Sequence, residues 1–375
     1  LKEKFLKILL NPKYIFGVYL IISVVTAISK YFRGDYAINN YLIFKNVFFN
    51  TIHQKNLFIH YPDLYFDLNH YGVFFSALIA PFAMMPDWLG ISLWNVANTF
   101  IFIYGIYKLP FSDSKKAIFG LLCLQEYITA ALSLQFNVAL TGLLLLSAVY
   151  IYERKEVKSV TAILIGVFVK IYGIVGLTQF FFIKNKTKFI LSGIGIALLF
   201  FVLPMAYSSP AFVIQCYSDW FQSIIEKNNE NQVLGNMQDI SLMGFFRRIL
   251  GDASISNLVF LAAGLPLFAL PYIRIRQYKH YAFQLMILAS TLLFLVLFSS
   301  SSESPTYIIA VVGVFNMVFS SKRKNSFHYR VACLCDYFYL FLHFRFISQV
   351  CKRELYHQVF LKSRTLYLGL AESNL

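Results

Sequence analysis

The side chains best equipped for chemistry gather early in the chain, in residues 31–70, YFRGDYAINNYLIFKNVFFNTIHQKNLFIHYPDLYFDLNH. Asp35, Asp63 and Asp67 stand close together here, although Asp and Glu together supply only 18 of the 375 residues, so the clustering is informative. Asp35 follows the first apolar run by a few residues. A carboxylate at a lipid–water boundary can accept a proton from a hydroxyl as a general base. Its plainer alternatives are an N-cap for the next helix or a partner for Arg33. Lys170 is the second candidate, because it interrupts the apolar segment TAILIGVFVKIYGIVGLTQFFF. An ionisable group there is costly and marks function by default, with a lysine snorkelling from an ordinary helix as the alternative. Arg247 and Arg248 offer paired guanidiniums for a phosphate, or anchors for a helix at lipid headgroups. Gln135 and Asn137 place two amides at a helix boundary, where caps and interhelical hydrogen bonds compete with ligand contacts. Asp63 and Asp67 have the spacing of a metal-binding carboxylate pair on a helix, yet their Tyr, Leu and Asn neighbours equally suit a structural turn. The five cysteines show no zinc spacing, and neither a metal nor another cofactor is expected.

The elements that must position these groups are membrane helices. Hydrophobic residues make up 58% of the chain, charged residues only 14%, and the mean hydropathy is +0.62, which excludes an ordinary soluble domain. A net charge of +15 would suggest nucleic acid in a soluble protein. Here Lys and Arg fall in short clusters between apolar runs, where they set topology, so no nucleic-acid partner is expected.

Basic clusters mark the cytoplasmic side and give a consistent map. Lys2, Lys4, Lys7 and Lys13 keep the N-terminus inside, and a retained first helix over Tyr14 to Ser29 delivers Asp35 to the outside. An amphipathic helix over Tyr36 to Leu57 is expected to lie flat on the bilayer surface. The segment Tyr71 to Pro86 is short, carries Pro81 and Pro86, and reads as a partly inserted piece of the outer loop. Spans follow at Trp88 to Tyr107, Ala117 to Leu132 and Val138 to Tyr152. The Lys170 segment has basic clusters at both ends, so two short helices meeting near Lys170 and Gly173 are expected instead of one crossing. Phe189 to Met205 then leads to a second outer loop over Ala206 to Asp252. Spans at Leu258 to Tyr272, Ala282 to Phe298 and Pro305 to Phe319 complete residues 1–320, read as one all-α transmembrane bundle of about 9–12 membrane helices. Residues 321–375 change in character and read as an interfacial helix, a cytosolic tail or the product of a shifted reading frame.

On this map the unusual polar residues converge on the outer membrane face. Asp35, Asp63, His70, Gln135, Asn137, Lys170, Asn236, Ser241, Arg247, Arg248 and Glu303 all fall there.

The motifs RGDYAINNYLIF, NLFIHYP, HYGVFFSALIAPFAMMPDWLGISLWNVAN, SLQFN, LIGVFVKIYG and NMQDISLMGFFRR, in that order, resemble the integral-membrane glycosyltransferases of family 87 in the GT-C superfamily. The resemblance runs from about Tyr31 to Tyr307. It implies a multi-pass enzyme of the cytoplasmic membrane with an outward-facing site. Such an enzyme moves a hexose or pentose, mannose favoured, from a polyprenyl-phosphate donor to a lipid-linked or cell-envelope glycan, as an inverting transferase. The family's aspartate in the first outer loop matches Asp35, the implied base, and its lysine matches Lys170, which with Arg247 or Arg248 would hold the donor phosphate. Gln135, Asn137, Asp63, His70, Asn236, Ser241 and Glu303, gathered on the same membrane face, are the candidate substrate contacts. Two departures stand out. Leu134 replaces the glycine of the family's Gly-Gln-x-Asn segment, and Ser302-Glu303-Ser304 lacks the histidine that many members carry near the last outer turn. A lipid-linked sugar flippase or a non-catalytic subunit of an envelope glycan assembly complex is the rival expectation, although a transporter would place its charges along a midplane path between related halves.

Overall fold

The computed structural model describes residues 10–234 and 239–320. Among the described residues the chain is all-α, with no strand. Residues 321–375 and Asn236, for which charge and hydropathy raise the expectations above, lie outside the described residues.

The first helix, α1 (Pro12–Tyr31), starts where Asn11 accepts a hydrogen bond from Lys13 N at 3.0 Å and Pro12 occupies the first turn. Both are helix-starting features, a side-chain cap and a residue with φ already set. It ends ahead of Gly34, whose φ of 84° is open to glycine and strained for other residues. That turn leads into a 3₁₀ turn, Asp35–Ile38, and then into α2 (Asn39–Ile52). The helix expected after Asp35 is therefore present but shorter. It is also packed into protein: Tyr41 donates to Phe82 O at 2.9 Å, and Phe44 stacks on Tyr71 with ring centroids 4.7 Å apart. A helix merely floating at the bilayer surface would expose its polar side, whereas Asn39, Asn50 and Thr51 are buried here.

The proline-bearing segment forms α3 (Phe75–Ala83), nine residues and too short to cross a bilayer. Then come α4 (Asp87–Lys108), α5 (Asp113–Ser133) and α6 (Asn137–Tyr152). Polar side chains bind α1, α4 and α5 together inside the apolar bundle. Tyr19 donates to Gly120 O at 2.7 Å, Asn95 to Ser23 O at 2.9 Å, and Tyr127 to Tyr19 O at 3.0 Å. Small residues and interhelical hydrogen bonds hold helices together where the surroundings are apolar.

The segment flanked by basic clusters is broken as its charges require. α7 (Glu156–Val169) ends at Lys170, which is extended at φ −141°, ψ 112°, and a 3₁₀ segment, Ile171–Phe182, doubles back along it. The return is tight because Gly166 and Gly173 face each other. A Cβ on Gly173 would lie 2.3 Å from the Gly166 carbonyl carbon, so any larger residue would force the two arms apart. α8 (Lys186–Val202) and α9 (Pro210–Gln232) follow, then α10 (Leu242–Leu250), α11 (Asn257–Ala269), α12 (Tyr281–Leu297) and α13 (Tyr307–Ser320).

Among the described residues three helical stretches are long and apolar enough to cross a membrane: Pro12–Tyr31, Asp87–Lys108 and Lys186–Ala206. Shorter apolar helices sit at Asn137–Tyr152, Ile171–Phe182, Asn257–Ile273, Tyr281–Leu297 and Ser304–Ser320. The described residues divide into two compact units. Residues 10–225, 268–296 and 304–320 form the first; residues 226–234, 239–267 and 297–303 form the second.

Candidate functional site

The first unit brings three of the sequence-predicted groups together at the break in the Lys170 hairpin. Lys170 Nζ donates to Asn137 Oδ1 at 2.9 Å, and Asn137 Nδ2 donates to Gln135 Oε1 at 2.8 Å. Asn137 is fully buried and Lys170 half-buried, with its ammonium 4.9 Å from the centre of the Tyr172 ring. The amide chain fixes the lysine, since its two polar ends admit one orientation of Asn137. The unwound backbone at Lys170 keeps its helical ties on either side, through Lys170 N to Gly166 O at 2.9 Å and Gly173 N to Lys170 O at 3.0 Å. The break therefore sets the side chain's direction without leaving a loose loop.

Gln135 and Asn137 flank a sharp turn between α5 and α6 whose pivot is Leu134. Its backbone is left-handed, at φ 59° and ψ 11°, a conformation that glycine adopts without strain. Here the leucine is buried and three side chains from elsewhere hold the turn. Asn40 of α2 donates to Ser133 O at 2.8 Å, Trp94 Nε1 of α4 donates to Leu134 O at 2.8 Å, and Phe136 N donates to Tyr71 Oη at 3.0 Å. Sequence reasoning passes over Asn40, Tyr71 and Trp94. Aromatic residues are 18% of the chain, so a single Tyr or Trp carries no local signal.

Asp35 lies in the exposed 3₁₀ turn just before α2. Neither structural alternative for it is realised: the helix cap is Ile38, and among the described residues no salt bridge joins Asp35 to Arg33. The Asn40–Ser133 hydrogen bond ties the helix it introduces to the turn that carries Gln135. Tyr36, next to Asp35, stacks on Phe66 with centroids 4.9 Å apart, and both rings are exposed.

Asp63 is exposed in a loop, and Asp67 accepts from Leu68 N at 2.8 Å. The two are not on a helix, which removes the helical spacing a metal-binding pair would need. Among the described residues no group of three His, Cys, Asp or Glu side chains is placed to hold a metal ion. His70 is engaged by α9: its Nδ1 lies 2.8 Å from Ser223 Oγ, and Trp220 Nε1 donates to His70 O at 2.8 Å. Trp220 is thus a buried strut.

The second unit organises its polar residues around Asp239. Ser241 caps α10, accepting from Gly244 N at 3.2 Å while donating to Asp239 Oδ1 at 2.6 Å. Arg247 is 1% exposed; its Nε donates to Ile255 O at 2.9 Å, one terminal nitrogen meets Asp239 Oδ2 at 3.3 Å, and the other bonds Asn257. Arg248, also buried, donates to Asp239 O. The two guanidiniums expected at a phosphate or at headgroups are therefore built into the interior of this unit, and Ser241 is a helix cap. Burial pushes the Asp239 carboxyl above its usual range, opposed by the Ser241 hydrogen bonds and the two guanidiniums, and burial lowers Arg247. Both directions share one cause, the loss of hydration, so the pair fixes geometry more than it adds stability. Asn228, which sequence reasoning left without a role, accepts from Ser300 Oγ at 2.6 Å and from Asn257 Nδ2 at 3.1 Å. Glu303 is half-buried in this unit.

An all-α, apolar bundle with three helical stretches long and apolar enough to cross a membrane, and a cation seated at a broken helix, has the make-up of a polytopic membrane protein. The sequence profile of glycosyltransferase family 87 matches residues 69–300, more than half of the chain. The chain belongs to that family and is a glycosyltransferase. The match takes in His70, Gln135, Asn137, Lys170, Arg247 and Arg248, and leaves Asp35, Asp63 and Glu303 outside it. No curated protein and no solved structure gives a significant match.

Proposed function

We propose that this glycosyltransferase moves a hexose or pentose, mannose favoured, from a polyprenyl-phosphate donor to a lipid-linked or cell-envelope glycan. The reaction takes place on the outer face of the cytoplasmic membrane with inversion at the anomeric carbon. The observation that carries the reading is Lys170, a cation at an unwound helix position, half-buried and oriented by the Asn137–Gln135 amide chain. A lipid-phosphate sugar is already activated, so the protein has to remove the acceptor proton, align the hydroxyl and stabilise charge on the departing phosphate. Lys170 fits the third task. Asp35 fits the first, since its carboxylate is exposed and, among the described residues, serves neither as a helix cap nor in a salt bridge. Gln135 and Asn137 act through Lys170, while Asp63, His70 and Glu303 are retained only as acceptor contacts. Arg247 and Arg248 drop out of the phosphate site in this reading, because their donors serve Asp239, Ile255 and Asn257.

The test is transfer by the purified full chain with polyprenyl-phosphate sugars as donors and lipid-linked glycans as acceptors, compared with Asp35→Asn. The amide keeps the size of the carboxylate but cannot take a proton, so turnover should fall by about 10²- to 10⁴-fold with donor binding intact. Equal turnover in the two proteins would remove Asp35 from the mechanism. Movement of the donor across the bilayer without glycosyl transfer would favour the flippase reading instead.

A further inference from the structure

The first unit carries an open groove of about 600 Å³ between α7, the returning 3₁₀ segment and α8. Its walls are Val160 and Leu164 of α7, Leu177 and Phe180 of the 3₁₀ segment, and Phe189 and Ile194 of α8, with the rest of the lining equally apolar. Sites of a few hundred to about 1,000 Å³ hold small ligands, and this one has no polar atom from a side chain in its floor to orient a water-soluble one. It lies where α7 and α8 begin, at the opposite end of the hairpin from Lys170.

That end is strongly basic. The turn into α8 exposes Lys184, Lys186 and Lys188. Lys186 Nζ donates to Ile183 O at 3.1 Å and lies 5.8 Å from the centre of the Phe180 ring, so its charge stands directly over the groove wall. On the other side Phe181 packs against Tyr272 and Tyr278, at 5.5 and 6.5 Å between centroids, which sets the exposed Arg274, Arg276 and Lys279 beside the same rim. Among the described residues the acidic groups at this end are Glu153, bonded to Lys155 at 2.6 Å, and Glu156, which is buried. Basic side chains thus outnumber acidic ones, among the described residues, at the rim of a hydrocarbon-lined slot.

We propose that this groove binds an anionic glycerophospholipid, with its acyl chains along the apolar wall and its phosphate at Lys186 and Lys188. The N-terminus of α8, with N–H groups beyond the one that Asn185 caps at Lys188, adds to the attraction for phosphate. Neighbouring residues of α8 agree with a lipid environment: Ile190, Leu191, Ile194, Leu198 and Leu199 are exposed. A free phosphate would leave the apolar wall uncovered, and a zwitterionic lipid would bring its own cation in beside the lysines. The inference is independent of the donor and acceptor assigned above.

The test uses the purified full chain equilibrated with vesicles of equal phosphatidylglycerol and phosphatidylcholine, with retained lipid counted by native mass spectrometry. Phosphatidylglycerol should be retained in preference, and replacing Lys186 and Lys188 together by Gln should lower that preference by roughly fivefold per lysine. Gly193→Phe projects into the slot and should lower retention. Gly195→Phe, with nothing within 4 Å of the new Cβ, should leave it unchanged. Where Gly193→Phe does not insert, Ala197→Leu changes the same wall more gently. Millimolar inorganic phosphate should not displace the lipid. Equal retention of the two lipids, an unchanged preference in the lysine pair, equal losses from the Gly193 and Gly195 variants, or displacement by phosphate would each overturn the proposal. None of these readouts depends on glycosyl transfer.

Discussion

Lys170 and Arg247 are both long cations in an apolar chain, and the two units put them to opposite uses. In the first unit the helix is unwound at the lysine, and the ammonium stays half-buried with a neutral amide oxygen and an aromatic ring beside it. In the second the helix is intact at the arginine, and the guanidinium is sealed at 1% exposure against a carboxylate, a carbonyl and an amide. The difference teaches that in such a chain a charge inside an apolar region can mean either a working group or a rivet. Continuity of the backbone and depth of burial separate the two meanings.

The comparison breaks most sharply at Asp239. Asp239→Ala leaves the buried Arg247 guanidinium without its carboxylate, while Arg248 keeps its bond to the backbone carbonyl, and should cost the second unit about 3 to 5 kcal/mol, seen as a lowered unfolding midpoint in detergent. Stability unchanged by that variant would mean that Arg247 reaches another anion. Lys170→Met should do the reverse. Its loss should appear as about 2 to 4 kcal/mol in transition-state stabilisation, measured from kcat/KM with the lipid-phosphate donor, while the unfolding midpoint stays near that of the wild type. A Met variant that turns over normally would make Lys170 a rivet as well.

Two smaller changes sharpen the contrast. Tyr71→Phe removes the acceptor for Phe136 N and should cost roughly 1 to 3 kcal/mol, because a buried N–H loses its partner. Since that turn carries Gln135 and Asn137, kcat should fall alongside the midpoint, which a purely structural tyrosine would not require. Ser241→Ala removes the cap of α10 and should cost about 0.5 to 2 kcal/mol in stability with no change in kcat. Lost turnover at full stability would put Ser241 back among the substrate contacts.

The broken hairpin was legible because basic clusters at both of its ends cannot be reconciled with one crossing. The nine-residue α3 was legible from its length and its prolines. Legibility failed where partners come from far along the chain. Arg247 meets Asp239 and Asn257 through a fold in the backbone, and nothing in FFRR tells an inward-facing guanidinium from one at a headgroup. Nor does the surface helix after Asp35 reveal that Tyr41 and Phe44 are covered by Phe82 and Tyr71, since an amphipathic pattern is the same whether lipid or protein covers it.

Leu134 remains as the point where sequence and backbone pull apart. A leucine held left-handed gives up roughly 1 to 2 kcal/mol relative to the right-handed form, and each hydrogen bond from Asn40, Trp94 or to Tyr71 returns about 1 kcal/mol. The turn is like a bent spring under three latches on three different elements. Releasing one leaves the balance near even, and releasing two would leave the left-handed leucine as a net strain on the turn. The angle between two helices, and with it the aim of Lys170, is therefore a cooperative property of α2, α4 and the 69–72 loop, not of the turn's own four residues.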